Sequence, residues 1–467
     1  MWWAEWESWI VSGLPLPDTP GEVALKMERG PAPIGNTKRP RFAARAHIPA
    51  VVAGIAMYVF VIISRVSDEF PSLHLALVTA GITAALALFG ANRGGGPLLR
   101  LPETRAVLAL FGLSIVTIPF SFWPGQSLTF VTRGYLAVVF LFFVIIHRVR
   151  SARGVQMLFW GVLAAMVFLE ISLMLWGSGD RPRVTGTYDS NDIALVMVCG
   201  FPLGAVWFLR GRGFARYIAG LISVFAVVTV LLTRSRGGLV GLCVVMGLLL
   251  VRVSSRQRLS ATVVVLVCVL ILGAFGSSEY WDRMATIWGG GDSRTTAPDG
   301  YDASGVWGAR WPVWQAALQL MFAHPVIGVG PGVFEVAEGL SHGGAGKWSS
   351  AHNAFLQIGV ELGVPGLALF VFLLYRALKN CRRVIRLARQ RRELAMEAWL
   401  ARSVELSVYG FIVAAFSLSQ AYSSILYLLV AASVVLVRLA SARSTGSGPR
   451  IDEQRAGDTA GSSGKTP

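Results

Sequence analysis

Apolar runs of about 20 residues recur along most of this chain, and short polar connections separate them. An α-helix rises 1.5 Å per residue, so about 20 residues cross a hydrocarbon layer about 30 Å thick. The runs do not alternate between polar and apolar positions as the strands of a membrane barrel do. We therefore predict an all-α polytopic membrane protein, because helices satisfy their own backbone hydrogen bonds in lipid.

The pattern predicts about twelve spans, the eighth of which is short and Gly-rich. They cover residues 47–64, 71–90, 104–122, 130–147, 154–176, 191–209, 215–233, 237–252, 260–276, 353–375, 404–421 and 423–440. Residues 1–46 form a predicted cytoplasmic segment, 47–440 the transmembrane region, and 441–467 a tail that its composition predicts to be disordered. The one large loop, residues 277–351, is acidic on balance, and a loop this long between spans is usually functional.

The distribution of positive charge predicts the topology. Lys and Arg number 42 against 26 Asp and Glu, which gives a net charge of +16. Arginines recur in every second connection and are densest between Arg376 and Arg402, as the positive-inside rule requires of cytoplasmic loops. Both termini are therefore predicted to be cytoplasmic, and no nucleic-acid partner is expected. Contact of these arginines with anionic lipids is a secondary interpretation.

Cysteine usage excludes two classes of site. Three of the four cysteines, Cys199, Cys243 and Cys268, lie within predicted spans, and Cys381 lies in the basic cytoplasmic segment. Without a cysteine in an external loop or a Cys/His cluster, neither a disulfide framework nor a zinc site is predicted. No cofactor is expected.

Charged candidates gather in the connections that this topology places outside. Arg236 lies in the tight turn between the seventh and eighth spans, and Arg133 lies near the outer end of the fourth. An arginine at a membrane border often only extends to the headgroups, but external arginines are scarce here. Arg234 would face another side of the helix than Arg236. Arg310 heads a predicted amphipathic helix that ends at Phe322, with Pro312 in its first turn.

His352 lies where the long loop enters the tenth span. A histidine at a helix start is often only a cap, but its ordinary pKa near 6.5 suits a general base at neutral pH. Glu361 is out of phase with it on an ideal helix. Asp189 and Asp192 could hold a cation, although capping of the sixth span is the simpler interpretation. The Gly-rich segment 328–334 could approach a phosphate, but a turn is the better interpretation.

Two external arginines and one histidine suit a specific reaction. Arginine binds diphosphate oxygens through paired donors and stays charged. A diphosphate leaves readily once its charge is stabilised, so only the attacking hydroxyl needs a base. These residues therefore permit transfer from a lipid diphosphate to a hydroxyl without a metal.

Three blocks of this chain resemble the O-antigen ligase and polymerase family of bacterial envelope proteins. They are Thr233-Arg234-Ser235-Arg236-Gly237-Gly238, then Arg310 with Trp314 and His324-Pro325-x-x-Gly328-x-Gly330, then His352-Asn353-x-Phe355-Leu356 with Glu361-x-Gly363-x-x-Gly366. A weaker match is Gly186-Thr187-Tyr188 with Asn191. The resemblance covers roughly residues 180–375, and it differs from the family in the lack of a basic residue beside His352, the nearest being Lys347.

The resemblance implies a multi-spanning membrane glycosyltransferase fold and an inverting transfer outside the bacterial inner membrane. The donor would be a glycan on undecaprenyl diphosphate, and the acceptor lipid A–core or another glycan. By analogy Arg236 and Arg310 would contact the diphosphate and His352 would deprotonate the acceptor hydroxyl. Arg133, Asn191 and Asn353 are further possible substrate contacts.

Two other functions stay open. A protein O-oligosaccharyltransferase of the same family would use a protein hydroxyl as acceptor. A non-enzymatic transporter or flippase for lipid-linked glycans would carry charges at mid-membrane and Gly- or Pro-broken spans in repeated halves. The candidates here gather instead at the outer surface, which favours the enzyme.

Overall fold

The computed structural model describes residues 50–89, 98–176, 188–252, 305–341 and 348–444, with a few helical positions between 258 and 273. Every regular element in these ranges is a helix, which confirms the predicted all-α class. The predicted N-terminal segment, most of the ninth span, residues 277–304 of the loop, Gly186, Thr187 and Lys347 lie outside the described residues.

Thirteen principal helices are described. They are α1 Ala50–Ser64, α2 Leu75–Phe89, α3 Pro102–Thr117, α4 Pro124–Arg148, α5 Ala152–Trp176, α6 Ser190–Arg210, α7 Ala215–Leu232, α8 Arg236–Arg252, α9 Gly305–Ala323, α10 Phe334–Ser341, α11 Ala354–Gln390, α12 Ala395–Ala415 and α13 Ser424–Ser444. Within α4, residues Phe130–Tyr135 form a π-helical turn. Short turns of helix join several of these elements.

Nine helices in the described ranges are long and apolar enough to cross a membrane. They comprise α2 with its preceding turn, α3 with its following turn, α4 to α7, and α11 to α13. The apolar helix α1, with 15 residues, and α8, with 17, are shorter. The structure therefore confirms a polytopic membrane protein, and the count of about twelve stays a prediction.

Helix α6 lies at the centre of the helix bundle and α2 at its edge. Inside the bundle lie 83% of the apolar window of α6 but only 6% of that of α2. Small residues allow close approach around α6, since a methyl group on Gly241 or Gly410 would press against Val198. The Ser407 hydroxyl also donates to the Cys199 carbonyl at 2.6 Å, which fastens α12 to α6.

Helix α11 is broken near its start, where a continuous span over 353–375 was predicted. Gly363 has φ 68°, and Pro365 has no N–H to donate to the Glu361 carbonyl. The Val364 N–H donates to the Pro325 carbonyl at 2.8 Å, and not to the Val360 carbonyl as it would in a continuous helix. The break leaves Ala354–Leu362 as a short outer arm, and the remaining arm, about 40 Å long at 1.5 Å per residue, crosses the bundle.

Several other boundaries differ from the prediction: α11 extends to Gln390 and not 375, α12 ends at Ala415 and not 421, and α4 begins at Pro124 and not 130. Helix α12 begins at Ala395 and not at 404, because Glu397 and Glu405 are buried and so lie inside the bundle. Helix α13 extends to Ser444, so the first four residues of the predicted disordered tail are helical. Helix α9 begins at Gly305, which places Pro312 in its interior and not in its first turn.

The connections gather at two opposite ends of the bundle. At one end, Gln420 reaches Asp192 at the start of α6, and Ser127 of α4 reaches Pro331. At the other end, Arg438 near the end of α13 donates to the Ile146 carbonyl near the end of α4. The first end carries the sequence-predicted site residues, and the second carries the arginine-rich connections.

Candidate functional site

His352 lies on a strained stretch of backbone immediately before α11. Its φ is 44°, in the left-handed region that L-residues rarely adopt. Its backbone N–H donates to the Ser419 hydroxyl at 2.8 Å. The next residue, Asn353, is buried and caps α11, because its Oδ1 accepts from the N–H groups of Phe355 and Leu356. The imidazole is half-buried at this corner.

Residues 416–423 join α12 to α13 and touch most of the other parts of the site; we call them the 416–423 connection. Ser419 holds His352, and Gln420 donates to Asp192 Oδ1 at 2.6 Å. The Ala421 N–H donates to Gln357 on the short arm of α11 at 3.3 Å. This connection therefore joins the starts of α6 and α11.

Arg236 is the first residue of α8, and the same connection packs against it. Ser235 is buried, and its hydroxyl accepts from the Gly238 N–H at 3.2 Å, which caps the helix. A methyl group on Gly237 would overlap the Ser417 side chain, so the two backbones are in close contact. The half-buried guanidinium thus starts from a helix N-terminus, where unpaired N–H groups favour anions.

Arg310 is joined to the His352 corner through Trp314. The Trp314 indole N–H donates to the carbonyl of Ala351 at 3.0 Å, directly before His352. Residues four apart share a face of a helix, so Arg310 lies one turn from this contact. Arg310, Arg236 and His352 therefore reach the same end of the bundle from three elements that are far apart in the chain.

Two carboxylates of α10 hold the chain that leads into His352. The Ser349 N–H donates to Glu338 at 3.1 Å, and the Ser350 hydroxyl donates to Glu335. Trp348 also has a left-handed backbone, and its ring covers Gly339. These acidic residues of the long loop thus have a structural use, which is to fix the approach to α11.

Asp189 and Asp192 form a capping box at the start of α6. Asp189 accepts from the N–H groups of Asn191 and Asp192, and the Asp189 N–H donates to Asp192 at 3.3 Å. The capping interpretation of these residues is confirmed. The Asn191 amide also donates to Asp189 at 3.3 Å, so this predicted substrate contact takes part in the cap.

The Gly-rich segment 328–334 is a packed turn. The Val329 and Gly330 N–H groups donate to the Val360 and Glu361 carbonyls at 2.9 and 3.0 Å. Those are the two carbonyls that lose their helical donors at the break in α11. Gly330 has φ 108°, and a Cβ there would collide with Ser121. The turn was the preferred interpretation, and it is confirmed because these amides are already used.

Glu361 lies beneath the 416–423 connection and is almost fully buried. The backbone amides of Gly332 and Phe334 and the Tyr422 hydroxyl face its carboxylate, and the Gln357 amide donates at 3.5 Å. Burial, followed by the charge of Glu361, raises the pKa of the Tyr422 phenol well above its ordinary value, so Tyr422 stays protonated. Glu361 therefore supports the Gly-rich turn and the 416–423 connection from below.

Two further arginines lie at this end. Arg133 is exposed in the π-helical turn of α4, whose residue Phe130 packs against Tyr422 at 4.9 Å. Such turns recur at functional sites. Arg65, which the sequence analysis did not single out, follows α1 and lies over the Tyr188 ring at 5.2 Å. It also pairs with Asp68 at 3.7 Å.

Sequence reasoning missed the 416–423 connection as well. It carries no charge, and the predicted spans 404–421 and 423–440 cover all of it except Tyr422. Its one signal was the run Ser417-x-Ser419-Gln420, which is polar at a membrane border.

Part of this chain matches a known protein family. Residues 221–371 match the family model described as O-Antigen ligase, which agrees with the resemblance found in the sequence. The match runs from within α7 to residue 371 of α11, beyond its break, and contains Arg236, Arg310 and His352. It supports a ligase- or glycosyltransferase-like enzyme that acts on lipid-linked glycans in a membrane. No curated protein matches the chain.

Proposed function

We propose that this protein is a membrane glycosyltransferase that moves a glycan from undecaprenyl diphosphate to an acceptor hydroxyl at the periplasmic face of a bacterial inner membrane. Lipid A–core or another lipid-linked glycan is the acceptor, as in an O-antigen ligase or polymerase. Arg236 and Arg310 bind the donor diphosphate, and His352 is the general base. No metal takes part in this proposal.

One observation carries the proposal: three chemically matched groups meet at one end of the bundle. Arg236 is the first residue of α8, next to Gly237, which contacts Ser417. The His352 N–H donates to Ser419. Arg310 lies one helical turn before Trp314, whose indole donates to the Ala351 carbonyl. All three lie in the segment that matches the O-antigen ligase model. Their position at a helix end, at the edge of the apolar region, suits a substrate with a lipid tail and a polar glycan.

The reaction follows from these roles. The acceptor oxygen attacks the anomeric carbon of the donor sugar while His352 takes the hydroxyl proton. The bond from that carbon to the diphosphate oxygen breaks, and its electron pair leaves with the undecaprenyl diphosphate. Arg236 and Arg310 stabilise the negative charge that grows on the leaving group. Displacement from the opposite side inverts the anomeric centre, and the imidazolium returns its proton to water.

A transfer assay with purified protein and lipid-linked glycan tests the roles separately. His352→Ala should remove nearly all activity, and raising the pH should not restore it. Arg236→Ala and Arg310→Ala should each lower turnover by roughly a hundredfold, the usual effect of losing one stabilising donor. Arg100→Ala, at the opposite end, is the matched control. Full activity of His352→Ala, or wild-type turnover of both arginine variants, would refute the assignment.

The acceptor separates this proposal from its alternatives. In a strain that lacks the gene, unpolymerised single repeats indicate a polymerase, and intact polymer absent from lipid A–core indicates a ligase. Lost protein glycoforms indicate the protein O-oligosaccharyltransferase. Accumulation of lipid-linked glycan at the cytoplasmic face, with no transfer by purified protein, indicates a flippase.

A further inference from the structure

A polar cavity lies at the end of the bundle opposite His352. Helix α6 runs from Ser190, at the candidate site, to Arg210, about 30 Å away at 1.5 Å per residue. Beside Arg210 the ends of α5, α6, α8, α11 and α12 surround a cavity of about 890 Å³. We call it the arginine pocket, after the five arginines that line it: Arg153, Arg210, Arg212, Arg252 and Arg402.

Two of these arginines have a structural partner. Arg252 and Arg402 reach the buried carboxylate of Glu405 at 3.0 and 2.6 Å. Arg382 is 3.5 Å from the same group. Glu405 is therefore satisfied by arginines that arrive from three helices, and its negative charge is already matched.

The other three arginines are exposed and have no acidic partner among the described residues. No carboxylate of the described residues pairs with Arg153, Arg210 or Arg212. Arginines at this end satisfy the positive-inside rule wherever they point. That rule does not explain why three of them line one cavity. An anion bound there meets all three positive charges.

The remaining wall of the pocket is apolar and aromatic. Trp207 and Trp399 line it and meet edge to face at 5.5 Å, and Trp207 continues to Trp160 at 5.0 Å. Ile385 and Leu249 extend the wall along α11 and α8. The cavity lies within the usual volume of small-molecule sites. Its chemistry suits an anionic group attached to an apolar or ring-shaped body.

We propose that the arginine pocket binds a phosphate-bearing anion through Arg153, Arg210 and Arg212. The guanidinium fork matches phosphate oxygens in pairs, and three forks around one cavity exceed what a single carboxylate would use. The phosphate belongs either to the headgroup of an anionic phospholipid or to a soluble phosphate compound. This inference does not depend on the proposed transfer reaction.

Two probes distinguish these sources in the full-length protein purified in a neutral detergent. Dioleoylphosphatidylglycerol represents the lipid, with dioleoylphosphatidylcholine as the comparison of zero net charge, and native mass spectrometry counts the bound lipid. Inorganic pyrophosphate represents the soluble source, and calorimetry measures its affinity. Saturable binding of either probe at one site per chain is the expected result, and the probe that binds identifies the source.

The variants test whether the pocket is the place of binding. R153Q/R210Q/R212Q should lower the affinity for the probe roughly tenfold or more, because charge-assisted contacts to phosphate are lost. R383Q/R386Q/R392Q removes the same charge at the same end from residues that are also exposed but do not line the pocket. It should change the affinity less than about twofold, because charges that do not contact the probe are screened.

A substitution that leaves the charge unchanged gives an independent result. Ala395 is exposed and lines the pocket. Ala395→Trp should fill part of the cavity and lower the affinity for the same probe. The variant should still elute as the wild type does in size-exclusion chromatography. Equal weakening by both triple variants would show a general surface effect, and absence of saturable binding would show an empty cavity. Either result overturns the proposal.

Discussion

At the scale of single residues, the backbone of His352 is the most informative feature. A left-handed conformation costs a non-glycine residue about 1–2 kcal/mol. The Ser419 hydroxyl, the Asn353 cap and the Trp314 bond to Ala351 offset this cost on both sides of the histidine. Strain that is held from several directions is typical of functional positions.

Ser419→Ala tests this support without touching the imidazole. The half-buried His352 N–H then loses its acceptor, which costs about 1–1.5 kcal/mol. We expect transfer activity to fall about tenfold, in proportion to that free energy. The midpoint of thermal unfolding, followed by tryptophan fluorescence, should fall by only a few degrees.

Ser423→Ala is the control, because Ser423 belongs to the same connection and its hydroxyl makes no hydrogen bond among the described residues. Equal activity in the two serine variants would mean that Ser419 does not position His352.

The residues with distinctive chemistry could be predicted from sequence, and those that position them could not. Arg236 and Arg310 stand out because arginines are scarce in the outer connections, and His352 because it is a titratable group at the start of a span. Ser419 and Gln420 do not, since neutral polar residues are common at helix ends. Their partners, His352 and Asp192, lie 67 and 228 positions away, and only the folded chain brings them together.

At the scale of elements, α8 shows how closely the site is packed. A methyl group on Gly237 would meet Ser417, whereas one on Gly247, three turns further along the same helix, would have no described atom within 4 Å. The two glycines look alike in sequence. One allows α8 to approach the 416–423 connection, and the other faces open space.

This difference predicts opposite results for the same substitution. Gly237→Ala should force Ser417 aside and destabilise the protein by about 1–3 kcal/mol, the usual cost of overpacking. It should also lower transfer activity, because Arg236 is the neighbouring residue. Gly247→Ala should leave the unfolding midpoint unchanged or slightly higher, because alanine favours a helix over glycine. A Gly237→Ala protein with wild-type stability and activity would show that the contact is unimportant.

The sequence contains a signal for the break in α11, but averaging hydropathy over a whole span hides it. An apolar window over 353–375 scores as one span, although Gly363 and Pro365 are two helix-breaking residues within three positions. What could not be predicted is where the two freed carbonyls go. Their donors, Val329 and Gly330, lie more than 30 residues earlier in the chain.

At the scale of the whole molecule, the two ends of the bundle are built differently. The end with His352 is held mostly by hydrogen bonds, from backbone groups, hydroxyls and amides to carbonyls, hydroxyls and carboxylates. The opposite end is held by ion pairs, among them the Glu405 cluster and the pair between Arg443 and Glu397 at 2.7 Å. The positive-inside pattern predicted which connections are basic. It did not predict that buried carboxylates pair with these arginines, because Glu397 and Glu405 lie on α12 and most of the arginines that they bind lie on other helices.

Glu405→Gln should therefore destabilise the protein as a whole. Removing one partner of a buried ion pair costs roughly 3 kcal/mol or more, since the remaining charges lose their compensation. We expect a clear fall in the unfolding midpoint. Glu393→Gln is the matched control, because Glu393 is 62% exposed and 3.6 Å from Arg391, where an ion pair contributes little. Similar midpoints for both variants would contradict a structural role of the Glu405 cluster.

The 416–423 connection also determines when the protein becomes competent during its biogenesis. Arg236 and His352 enter the membrane while the ribosome is still making the last two helices, and Ser419 and Gln420 follow only with α12 and α13. Until that final helical hairpin has inserted, His352 lacks its hydroxyl acceptor Ser419, and Gly237, next to Arg236, lacks its neighbour Ser417. A nascent or truncated chain therefore carries these residues without their arrangement, and the proposed transfer would start only once synthesis is complete.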